Sequence, residues 1–284
     1  MRPEDYPAQE PFSAIGERYH AEVLRLGAEV AGSDVSLGDD PYQSVAVYQA
    51  EKPAGPVLCL IHGGGWTNGY KEWMAFMAPA LTTRGITVVS FGYRLAPDHV
   101  YPTQFEDCAK AVAWTWRNIA YFGGDPEQIH VAGHSAGGHL SALLALRTDW
   151  QGACEVPTNV IKSALPISGT YLFGDASGLS MRPRFLGDPE LGNEGPASPV
   201  THIRPDAPPF LVAFGSKDFP HLITQAQNFA EQLAAAGVRT ETLELEDCDH
   251  LGASYASGEP DGTWVRAAVA HTRNLMPTTT GITG

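Results

Sequence analysis

Basic residues are scarce in this sequence. Lys and Arg number 18 against 32 Asp and Glu, a formal charge of −14. No basic cluster interrupts that acidity, which argues against nucleic acid and anionic membrane as partners and leaves solubility as its use. Cysteine is scarce too. Cys59, Cys108, Cys154 and Cys248 are scattered, with no Cys-x-x-Cys pair. That argues against a thiolate metal centre and fits free thiols in a reducing cytoplasm. No run reaches the roughly 18 apolar residues of a membrane span. The opening "MRPEDYPAQEPF" lacks the apolar stretch of a secretion signal. The expectation is a cytoplasmic protein that needs no membrane and no metal.

What is present is a chain of 284 residues, 43% apolar, with alternating strand and helix patterns. Ile15, Tyr19, Val23, Leu26 and Val30 recur at steps of three and four. They predict an amphipathic helix over 13–31, packed across the main domain. "QSVAVYQ" from 43 alternates like a strand. "PVLCLI" (56–61), "ITVVSF" (86–91), "QIHVAG" (128–133), "VIKSALPIS" from 160 and "PFLVAFG" from 209 are continuous apolar runs. Such runs suit strands buried on both faces. "RTETLELE" is the last strand. Helices are predicted at 72–84, 104–120, 136–147, 221–236 and 263–276, with Gly237 ending the fourth. The alternation predicts an α/β fold in one domain, with a mostly parallel sheet and helices on both faces. Residues 1–35 form an N-terminal helical segment. Residues 169–208, rich in Gly, Pro and Ser, break the rhythm and predict a lid-like insertion above the strand ends. Residues 277–284 read as a frayed tail.

"GHSAGG" (133–138) sits where a buried strand meets a helix. A sharp turn there lifts Ser135 above the sheet, and Gly133 and Gly137 remove Cβ atoms that would collide. A serine hydroxyl is a weak nucleophile and needs a base, which in turn needs an orienting acid. In chain order the acid should follow the serine and precede the histidine. His250 lies in "EDCDHLG", read as a loop after the last strand. Asp218 lies in "GSKDFP", just past the strand before it. "HGGGW" (62–66) follows another buried strand. Its glycines let backbone N–H groups approach a reacting carbonyl, so Gly64, Gly65 and Ala136 are candidates for an oxyanion hole. His62 reads as a brace for that loop. Trp66, Tyr70, His134, Tyr171 and Phe219 adjoin these loops and are candidate substrate contacts, with packing as the alternative for each. Asp107 and the "GGDP" turn read as structural.

Five pieces in order, "HGGGW", "YRLAP", "GGDPEQIHVAGHSAGGHLSA", "GSKDFP" and "DH", resemble the α/β-hydrolase superfamily over residues 40 to 275. The pattern is similar to hormone-sensitive-lipase-like carboxylesterases and to kynurenine formamidases (arylformamidases). "YRLAPDHVYPTQFEDCAKAVAW" is similar to the esterases. "AWTWRNIAYFGGDP", His134 (where many lipase-like esterases carry Asp) and Trp66 lean toward the formamidases. Those enzymes commonly have a bulkier residue where this chain has Gly65. The resemblance implies the triad Ser135, Asp218 and His250 and the hole Gly64, Gly65 and Ala136. It implies a cofactor-independent serine hydrolase of small esters or aryl formamides and amides, acting through an acyl-enzyme. It leaves room for a homodimer. Alternatives on the same fold are a small-ligand receptor without turnover and an acyltransferase using the same triad.

Overall fold

The computed structural model describes residues 1–174 and 182–273. The tail at 277–284, the end of the helix predicted to 276, and residues 175–181 of the predicted insertion lie outside the described residues.

Eight strands form one sheet: β1 Ser33–Ser36, β2 Ser44–Tyr48, β3 Gly55–Ile61, β4 Thr87–Phe91, β5 Gly124–His134, β6 Ile161–Ile167, β7 Phe210–Gly215 and β8 Thr240–Leu245. Their order across the sheet is β1-β2-β4-β3-β5-β6-β7-β8. β2 runs antiparallel to both β1 and β4, and the six strands from β4 to β8 run parallel. The apolar runs make the central strands because both of their faces are covered by helices. Register then brings the carboxyl ends level. Ile61 pairs with Gly133, His134 with Ile167, Ile167 with Ala213, and Gly215 with Leu245. The loops after β3, β5, β7 and β8 therefore open on one edge of the sheet.

The helices are α1 Ala14–Gly27, α2 Ala78–Thr82, α3 Thr103–Asn118, α4 Ala136–Leu146, α5 Asp149–Ala153, α6 Arg182–Leu186, α7 Glu194–Ala197, α8 Pro220–Ala235, α9 His250–Ala256 and α10 Thr263–Thr272. Ser13 caps α1 by accepting the Gly16 N–H at 3.1 Å. Pro220 starts α8 where its missing N–H costs nothing, and Gly237 (φ 86°) follows its end. All eleven residues of α4 are buried. It follows the sharp turn at Ser135 and packs against β5 and β6.

Four expectations change. The predicted helix 72–84 is a 3-10 segment, Lys71–Met77, followed by the short α2. β1 went unpredicted because "SDVS" is a polar edge strand without apolar alternation. The α1 stripe is buried only at Tyr19 and Val23, and Ile15 and Leu26 are exposed. "DHLG" is not a loop. Asp249 caps α9 through the Gly252 N–H at 2.7 Å, and His250 opens that helix. Asp107 is structural, as expected. Two 2.8 Å hydrogen bonds from the Arg94 guanidinium and one of 2.9 Å from Gln43 hold its buried carboxylate.

No helix among the described residues is long and apolar enough to cross a membrane. No group of three or more His, Cys, Asp or Glu among them is placed to hold a metal ion.

Candidate active site

Ser135 joins β5 to α4 with φ 56° and ψ −117°, a backbone conformation that non-glycine residues rarely adopt. Such strain persists only where the surroundings enforce it. Here the enforcement is close packing. A Cβ on Gly137 would come within 1.9 Å of the Ile61 carbonyl oxygen, and one on Gly133 within 2.5 Å of the Gly137 backbone. Only glycine on both sides lets the turn close.

His250 lies between two partners. Its Nδ1 is 2.9 Å from Asp218 Oδ1, and its Nε2 is 3.0 Å from Ser135 Oγ. A carboxylate only accepts, so Nδ1 carries the proton and Nε2 is left to accept the Ser135 hydroxyl. That is the tautomer a general base requires. The Asp218 side chain is fully buried and His250 is partly exposed. Burial works against the carboxylate, but the hydrogen bond and charge of His250 outweigh it and lower its pKa. Asp218 Oδ1 also accepts the Phe219 N–H at 2.7 Å. No side chain caps α8.

The "HGGGW" loop follows β3. Gly64, Gly65 and Trp66 have φ of 100°, 61° and 63°. A Cβ on Gly64 would sit 2.1 Å from the Asn68 carbonyl oxygen, so that position too requires glycine. The loop is pinned from behind. His62 Nδ1 donates to the Gly63 carbonyl at 2.8 Å, its ring stacks on Tyr93 at 4.2 Å, and the Tyr93 hydroxyl donates to the His62 carbonyl at 3.0 Å. Burial pushes the His62 pKa down to about 4, so it stays a neutral brace. Gly64 and Gly65 line a cavity with Ser135 and His250, and Ala136 begins α4 beside them. Among the described residues no protein carbonyl accepts the N–H of Gly64, Gly65 or Ala136.

The cavity at Ser135 holds about 210 Å³. Its wall includes Phe12, Ile15 and Tyr19 from the N-terminal segment, Trp73, His134 and Leu251. Of the predicted contacts, only His134 lines it. Trp66 is buried, stacks on Phe185 at 4.3 Å and donates to His139 Nδ1 at 3.2 Å. Tyr70 is buried against Tyr6, Tyr42 and Trp73. Tyr171 is fully buried and stacks on Phe229 at 4.2 Å. These three pack the core because a large aromatic beside a loop gains more from burial than from water. Phe219 is half exposed, with its ring 5.1 Å from the His250 ring, outside the cavity lining. No described residue of 169–208 lines the cavity, which is roofed instead by the start of α1. Sequence reasoning missed this. The signal was Ile15, an apolar residue near the start of α1 that faces the opening.

The serine on a strained strand-to-helix turn, the histidine after the last strand and the acid after the strand before it fix the pattern. A family model described as the alpha/beta hydrolase fold matches residues 58–253. The chain belongs to that family. The hydrolase-fold chain is 36% identical over 252 residues to esterase LipC of Mycobacterium tuberculosis, which covers 80% of this chain and 61% of LipC. It is 26% identical over 245 residues to kynurenine formamidase of Danio rerio, 82% of this chain and 81% of that one. The chain spans only 44–61% of the length of LipC and two other Mycobacterium esterases, LipM and LipQ. Among solved structures, the esterase of Pyrobaculum calidifontis superposes with a TM-score of 0.75 at 22% identity, covering 95% of this chain and 97% of its own. The carboxylesterase EstE1 from a metagenomic library gives 0.74 at 24% identity, covering 92% and 96%.

Proposed function

We propose that this hydrolase-fold chain is a serine hydrolase of small carboxylic esters, with aryl formamides and amides as the second substrate class. One observation carries the reading: the unbroken Asp218–His250–Ser135 relay, with its proton on the nitrogen that faces the acid.

In the reaction Ser135 Oγ attacks the substrate carbonyl while His250 Nε2 takes the hydroxyl proton. Asp218 stabilises the imidazolium that forms. The negative charge developing on the carbonyl oxygen is met by the N–H groups of Gly64, Gly65 and Ala136, and the positive end of α4 lies behind Ala136. His250 returns its proton to the leaving alcohol or amine as the bond to carbon breaks. Water then repeats the sequence on the acyl-enzyme and releases the acid. Beyond substrate and water, the steps draw only on groups of the chain.

Two features favour esters. The esterase relative is more similar than the formamidase, and an alcohol leaves more readily than an amine. The small, aromatic-walled cavity suits a compact acyl or aryl group. The four free, scattered thiols fit work in a reducing cytoplasm. The test is a panel of short nitrophenyl esters, N-formylkynurenine and aryl amides. Turnover of short esters is expected, with the other two slower. Turnover of N-formylkynurenine above the esters would reverse the order of the two classes, and no turnover of any would remove the reading. Product analysis with an added alcohol separates hydrolysis from acyl transfer.

A further inference from the structure

His134 and Ser135 are consecutive, and both reach the same residue from different sides. The Ser135 hydroxyl meets the His250 ring, while His134 Nε2 lies 2.8 Å from the His250 backbone carbonyl oxygen. A carbonyl oxygen only accepts, so His134 carries its proton on Nε2 and donates it. His134 Nδ1 is buried with no partner among the described residues. It is therefore the bare nitrogen, and the tautomer is settled from both ends.

We propose that His134 is a positioning residue, whose Nε2–H holds the main chain of His250 and so sets the imidazole over Ser135. The proposal rests on the reading of Ser135 and His250 as nucleophile and base. His250 is the first residue of α9 and follows a bend in which Asp247 has φ 59°. The later turns of α9 are held elsewhere. Tyr19 of α1 hydrogen-bonds Ser254 at 2.8 Å and stacks on Tyr255 at 5.7 Å. The first residue has no such tie from α1. His134 supplies it from the elbow itself, with its ring 4.7 Å from the His250 ring. The base is thus tied to the dipeptide that carries the nucleophile at two points, its ring and its backbone carbonyl.

The donor also has to be neutral, because a second cation would oppose the imidazolium that His250 becomes. Burial, and then the nearby His250, push the His134 pKa down to about 3. His134 adds a hydrogen bond without adding charge. Placement of this kind acts on the chemical step. A misplacement of about 1 Å at a reacting group can lower the rate about 100-fold with little change in substrate binding.

The test compares two replacements of similar length. His134→Gln keeps an N–H donor where Nε2 stood, and His134→Met keeps the reach and removes the donor. With a nitrophenyl acetate substrate, His134→Met is expected to lower kcat about 10- to 100-fold with KM within about twofold. His134→Gln is expected to hold kcat within about threefold of the parent. Thermal melting of both, with Ser135→Ala alongside, separates the causes. Full turnover in His134→Met, with none in Ser135→Ala, would overturn the proposal alone. Equal losses in the Met and Gln variants would also overturn it, since the imidazole would then matter only as packing. Turnover that survives Ser135→Ala would overturn the triad and this proposal together. Should His134→Met not fold, His134→Gln decides: folding with kcat near the parent supports the proposal, and a loss of tenfold or more defeats it.

Discussion

Among the described residues two serine–histidine pairs are in hydrogen-bond contact, and the body of β5 or its end contributes to each. Near the middle of β5, His130 Nδ1 lies 2.6 Å from Ser163 Oγ. Just past its end, Ser135 Oγ lies 3.0 Å from His250 Nε2. By contact distance the first pair is the tighter. Yet His130 and Ser163 are both buried in the sheet, and no carboxylate among the described residues reaches the other nitrogen of His130. Burial and the neighbouring His271 push the His130 pKa down to about 3, which makes it a poor base. The second pair has Asp218 behind its histidine, a cavity in front of its serine and glycine amides beside it. Contact with a histidine alone does not make a serine a nucleophile. The acid, the opening and the glycine amides are what the proposed nucleophile has and Ser163 lacks.

Removing the acid makes the second pair resemble the first. Asp218→Asn leaves the shape and removes the charge that would stabilise the imidazolium. It is expected to lower kcat about 10⁴-fold on a nitrophenyl ester, with the fold intact by circular dichroism. A loss below about tenfold would mean that the acid is not what separates the pairs. Ser163→Ala probes the first pair. That change strands the buried His130 Nδ1, so urea unfolding should show a loss of about 1–3 kcal/mol while turnover stays within about twofold.

The smallest effect concerns pH. His130 and His271 have folded pKa values of about 3 and about 4, below the roughly 6.5 of an unfolded histidine. Over that window the unfolded chain binds protons that the folded chain does not. Their contribution to stability is complete above about pH 6.5 and is lost as pH falls toward the folded values. Each can add a slope of up to about 1.4 kcal/mol per pH unit. Urea unfolding between pH 6.5 and 4.5 should show that slope reduced by about this amount in His130→Phe combined with Ser163→Ala. An unchanged slope would place the titration elsewhere.

Much of this was legible in the sequence because the candidate site residues are tied to strand ends. An apolar run followed by glycines or by an isolated polar residue marks a carboxyl end, and register aligns those ends. Ser135, Asp218, His250 and the Gly64–Gly65 loop were picked out this way, and the structure brings them together. The cavity wall was not legible, because it is made by segments remote in sequence. Phe12 precedes α1, and Ile15 and Tyr19 belong to a helix whose periodicity announces one buried stripe, yet Ile15 turns toward the opening. Trp66 and Tyr171 adjoin the right loops but point into the core, which adjacency cannot reveal. The histidine contacts were not legible either. Nothing in "QIHVAGH" says that the first histidine meets a serine on the next strand and the second a backbone carbonyl after the last.

The most direct measurement is mass spectrometry of the protein after reaction with a fluorophosphonate. A single adduct is expected on Ser135, formed rapidly in the parent, slowly in Asp218→Asn, and unaffected by Ser163→Ala. An adduct on another serine, or labelling that persists in Ser135→Ala, would contradict it.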